Sequence, residues 1–255
     1  MRSRKLVSSF GSTRELSQLN AVGSLASNAS TREREKRGSV KTVTWAVGLA
    51  GRSRDLESLV RELNLPYINV IEAEDGSGFY LTSIRLEVLE TPREVLAAAE
   101  PLIAQVNGAI RLVDADARPI IAGGVRWIAD DGAVSVFVMP DTIRIKVRFG
   151  GQPTADATAL ETASRDELVA QALGYFSDPT WVNLTKVRET IEQDLAVSLV
   201  DKGWVSQTKL DRFNHQANYE ERHARGEVDK PSKPMTIAKA EQLIGSILKA
   251  WLAQK

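Results

Sequence analysis

The chain has 255 residues, 43% hydrophobic and 26% charged, with 33 basic and 33 acidic side chains and no cysteine. This is ordinary for a globular protein of one or two domains, and the absent cysteine excludes disulfides, thiolate-bound zinc, iron–sulfur clusters and thiol nucleophiles. No apolar run nears the roughly 20 residues of a membrane span, and "MRSRKLVSSFGS" has no apolar stretch behind its charges, so a cytoplasmic protein without membrane contact is expected.

The zero net charge hides an asymmetry. Residues 1–40 hold eight Lys/Arg against three Asp/Glu, whereas the rest of the chain holds 25 against 30. The body therefore lacks the basic balance of a dedicated nucleic-acid binder. Residues 1–40 are rich in Ser, Arg, Asn and Gly, with scattered apolar positions that offer little to offset ordering entropy, so they read as a flexible tail. A basic arm touching nucleic acid or a partner is the alternative.

From Lys41 to Gly150 the pattern predicts an α+β unit. "TVTWAVGLA" reads as a strand, followed by a helix with Leu56, Leu59, Val60 and Leu63 at helical spacing. "YINVIEAE" and "FYLTSIRLEVL" flank "DGSG", a hairpin signal. Thr91, Pro92 and Glu94 open a helix with a capping box, and Asn107-Gly108 reads as its stop. "AIRLV", "IIAGGVRWIA", "AVSVFVMP" and "TIRIKVRF" follow as strands. The sum is a mainly antiparallel sheet with one or two helices on one face.

The composition changes at residues 151–158, read as a linker between that unit (41–150) and a helical one (159–255). Ser164 and Glu167 suggest a second capping box. "DPTWVNLTKVRETIEQDL" then shows Trp181, Leu184, Val187, Ile191 and Leu195. A helix after Ser206 shows Leu210, Phe213 and Ala217, and one from Thr236 shows Ile237, Ile244, Ile247, Leu248 and Trp251. Three or four such amphipathic helices make a small bundle.

Motifs with chemistry are scarce. No phosphate-binding Gly-x4-Gly-Lys-Ser/Thr and no Gly-x-Ser-x-Gly elbow is present. Gly123 and Gly124 in "AGG" read as a strand bulge, and Asp130-Asp131-Gly132 as a turn. Both histidines lie in "RFNHQANYEERHARGE", Arg212 to Glu227. Asp211 and His215 could share a helix face, but His223 lies two turns further on, about 11 Å along the axis. One metal ion could not span them unless the helix breaks between them, and neither metal nor cofactor is expected.

The last part of the chain, from about Leu160, resembles HEPN domains, small helical bundles of bacterial toxin and phage-defence systems. The likeness rests on "WVNLTKVRETIEQDL", the polar segment after it, a Pro-bearing loop, and "MTIAKAEQLIGSILKAWL". Active members resemble metal-independent ribonucleases, with an Arg, a following polar residue such as Asn, and a His separated from the Arg by four to six residues; two copies share one site. Asn218 and His223 stand as the polar residue and the His would, but Ala217 occupies the place of the Arg. Arg222 directly precedes His223 and offers a cation by a different route. The segment is also similar to the ends of bacterial proteins without an established activity, in which Ala-Asn precedes an Arg-His pair.

The resemblance implies two functions. One is a non-enzymatic binding protein with a catalytically silent bundle, engaging a protein partner, a second copy of itself or RNA. The alternative is a metal-independent endoribonuclease of a defence or toxin–antitoxin system, with His223, Arg222 and Asn218 as its catalytic residues. A purely structural reading stands beside both: His and Arg near a helix C-terminus oppose the negative end of its dipole, about 0.3–1 kcal/mol each.

Overall fold

The computed structural model describes residues 44–73, 76, 78–128, 134–137, 155–222 and 229–255. The expected tail 1–40, the strand read at 142–149, Asp130-Asp131-Gly132 and His223 lie outside them. The fold is α+β, with an antiparallel sheet in the first half and helices concentrated in the second.

Among the described residues, six strands pair in the order β2-β3-β4-β1-β5-β6. They are β1 (Thr44–Ala50), β2 (Asn64–Leu65), β3 (Ile68–Glu72), β4 (Phe79–Thr82), β5 (Ile121–Ile128) and β6 (Val134–Phe137). Every pairing is antiparallel. Alternation along the strands puts Val47, Val70, Leu81 and Val125 into the core. The expected hairpin is present, with Asn69 opposite Thr82 and Glu72 opposite Phe79. The expected bulge is too: Val47 pairs with Val125 but Leu49 with Ala122, so β5 carries one extra residue at Gly123–Gly124. The backbones are close there, and a Cβ on Gly48 would sit 3.1 Å from the Gly124 carbonyl oxygen.

Two helices accompany the sheet. Helix α1 (Ser53–Glu62) buries Leu56 and Leu59. Helix α2 (Pro92–Val113) begins as expected: Glu94 N–H donates to Thr91 Oγ1, and Thr91 N–H donates to Glu94 Oε2 at 3.0 Å. It does not stop at Asn107-Gly108. "AIRLV" continues it to Val113, and Asp114 is the C-cap. The two supposed stop residues have tertiary partners instead. The Asn107 amide donates to Ile120 O and accepts from Ile120 N, both at 2.8 Å, fastening the start of β5. Gly108 lets the backbone of the following helices press against α2; a Cβ there would lie 2.1 Å from Leu173 O.

Strand β4 is also shorter than "FYLTSIRLEVL" suggested, giving way to turns from Ile84 to Val88. Ser83 explains the break. Its hydroxyl donates to the Tyr67 carbonyl and accepts from Arg85 N–H, so the side chain competes with the ladder.

Among the described residues, five helices follow: α3 (Ala157–Arg165), α4 (Glu167–Phe176), α5 (Trp181–Leu195), α6 (Gln207–Arg222) and α7 (Ile237–Leu252). The box expected at Ser164 is displaced by a better cap. Asp166 Oδ1 accepts from Leu168 and Val169 N–H and starts α4, while Ser164 Oγ donates to Glu161 O. Leu184, Ile191, Phe213, Ile244, Leu248 and Trp251 are buried, and Trp181 is partly buried with its ring 6.0 Å from Phe213. Ile237, expected inside, is exposed on the first turn of α7.

The change of patterning near Gly150 marks a change of secondary structure, but the cores on its two sides are not separate. Val43–Lys255 forms one compact unit, and one buried cluster runs from Trp45 to Trp251. Helix α2 is the shared spine. Asp156 N–H donates to Ala109 O, Ala155 is buried, and Arg111 Nε meets Glu241 Oε1 of α7 at 2.6 Å. The end of the supposed linker is thus already packed against α2. Among the described residues, no helix is long and apolar enough to cross a membrane.

Candidate functional site

The polar segment belongs to α6. Its apolar positions, Leu210, Phe213 and Ala217, recur at helical spacing and are buried. After Arg222, the chain returns through residues 229–236 to the Thr236 N-cap of α7, whose hydroxyl accepts from Lys239 N–H.

The polar side chains of α6 hold this return in place. Arg212 Nε donates to Lys233 O at 2.8 Å, and its Nη2 donates to Pro234 O at 2.5 Å. Gln216, itself buried, accepts from Met235 N–H at 3.1 Å and donates to Glu220 Oε1 at 2.8 Å. His215 Nε2 lies 2.9 Å from Asp229 O. A carbonyl only accepts, so Nε2 carries the proton in that bond. Three residues of one helix thus tie four points of the loop, satisfying backbone groups that a loop lacks partners for.

Of the expected site residues, two lie on described parts of α6. Asn218 is exposed on α6. Arg222, four residues on, is the last residue of that helix. His223 lies outside the described residues. Ala217, at the place of the family's Arg, is buried, with 3% of its surface open. The two nearer members of the metal test are otherwise engaged: Asp211 Oδ1 accepts from Gln207 at 2.7 Å, and His215 bonds the loop. Among the described residues, no three His, Asp or Glu side chains gather as a metal would need.

Two further polar clusters escaped the sequence reading. The first joins helix ends. The Lys255 ammonium lies 2.7 Å from Asp166 Oδ2 and 2.8 Å from Asp194 Oδ1, over the Trp251 ring, while Trp251 Nε1–H donates to Asp194 Oδ2 at 2.9 Å. Burial opposes charge on Asp166, but the bond from Lys255 and the N–H groups of Val169 and Leu168 outweigh it and hold its carboxyl below the ordinary value. The bond from Lys255 does the same for Asp194. No local pattern announces this cluster, because its members come from three helix ends far apart in sequence.

The second surrounds Asp55, in the first turn of α1 and buried at 4% exposure. Burial raises its pKa, against the lowering influence of Arg52, Arg118 and Arg54. Separately, Tyr67 is buried, its hydroxyl without a hydrogen-bond partner among the described residues, and desolvation, aided by the Glu161 charge, pushes its pKa up to about 12. An acidic residue at the start of a helix was visible in the sequence, but its burial was not.

Comparison with protein-family models, curated proteins and solved structures finds no match.

Proposed function

We propose that the protein acts by binding rather than catalysis, with its C-terminal helices forming a HEPN-like bundle that is catalytically silent. The observation that supports this reading is the use made of α6. The guanidinium of Arg212 is held by two loop carbonyls, and Ala217 turns a methyl group into the core where the resemblance calls for a cation. RNA cleavage by 2′-OH attack needs a proton-transfer group and a cation on the developing phosphorane charge. His223 could move the proton, but the Arg212 guanidinium of α6 is already committed to the loop carbonyls of Lys233 and Pro234. The partner on this reading is another protein or a second copy engaging the bundle, with RNA as the alternative.

The test is metal-free cleavage. Purified protein incubated with labelled RNA in EDTA is expected to leave the RNA intact, and His223→Ala is expected to change nothing in that assay. Cleavage in EDTA that His223→Ala abolishes would overturn the reading in favour of a metal-independent endoribonuclease.

A further inference from the structure

We draw no further inference here: the strongest candidate, the apolar surface around Trp45 where Trp127 stacks at 5.9 Å and the turn carrying exposed Ile84 and Val88 is joined through the Trp45 bond to Leu89 O, carries none because nothing in the structure shows what covers it.

Discussion

Helices α2 and α6 each carry polar residues where a simple amphipathic helix would not, and they use them at different scales. Asn107, Gly108 and Arg111 of α2 fix whole elements: the start of β5, the backbone of α4 and the side of α7. Arg212, His215 and Gln216 of α6 fix only a return loop. The lesson is that a polar run within a helix has to be read by what it ties before it is read as chemistry. If the difference in scale is real, damage to α2 should cost far more stability than damage to α6.

Gly108→Ala is the severest break. Alanine ordinarily gains about 1 kcal/mol over glycine inside a helix. Here its Cβ would sit 2.1 Å from a backbone oxygen of α4, so one helix must move away from the other. The expected loss is upward of about 3 kcal/mol, seen as a large drop in urea midpoint or in soluble yield. A variant as stable as the parent would remove α2 from its place as the shared spine.

Arg111→Ala sharpens the same point. Its pair with Glu241 retains 19% and 12% side-chain exposure, so solvent screens it less than a surface pair. Removing one partner leaves a mostly buried carboxylate, for an expected loss of roughly 2–3 kcal/mol. The Arg111→Ala/Glu241→Ala double variant should lose less than the sum of the two single ones. Additive losses would show that the pair contributes no coupling between the two halves of the chain.

How much of this could be read beforehand depended on range. The Thr91–Glu94 box was legible because all its partners lie within four residues, and the α6 core was legible because Leu210, Phe213 and Ala217 repeat at helical spacing. Asn107-Gly108 misled because the same residues that end helices also serve close approach, and the deciding groups, Ile120 and Leu173, are 13 and 65 positions away. The division into two packed units failed for the same reason, since period-2 and helical patterns report local structure rather than shared burial. In the candidate site, the sequence located the polar segment but not its use. The partners of Arg212 and His215 are backbone carbonyls of the loop, which leave no trace in side-chain spacing.

The Lys255 cluster lies between the extremes, joining helix ends. Lys255→Met keeps the packing stem and removes the charge, for an expected loss of roughly 1–2 kcal/mol near neutrality after allowing for partial exposure. The pH dependence has a definite sign. Asp166 and Asp194 are depressed below the ordinary value of 3.8, so their contribution is full above that value and is lost as pH falls through the lower folded values. Lys255 is raised above 10.5: burial alone would lower it, but the two carboxylates prevail. Its contribution is full below 10.5 and lost as pH rises through the folded value. Melts across pH should therefore show the gap between parent and variant widest between these limits and closing outside them. A gap unchanged from neutral pH to pH 2 would mean that the charges contribute nothing.

The smallest effects decide the reading of α6. Thermal and urea melts of Arg212→Ala beside Asn218→Ala compare a residue that ties the loop with one on the same helix that faces solvent. Loss of two charge-assisted bonds to loop carbonyls should cost Arg212→Ala roughly 1–2 kcal/mol, while Asn218→Ala should stay within about 0.5 kcal/mol of the parent. The opposite result, a stable Arg212→Ala and a destabilised Asn218→Ala, would contradict the account: Arg212 would then be free for a role other than holding the loop.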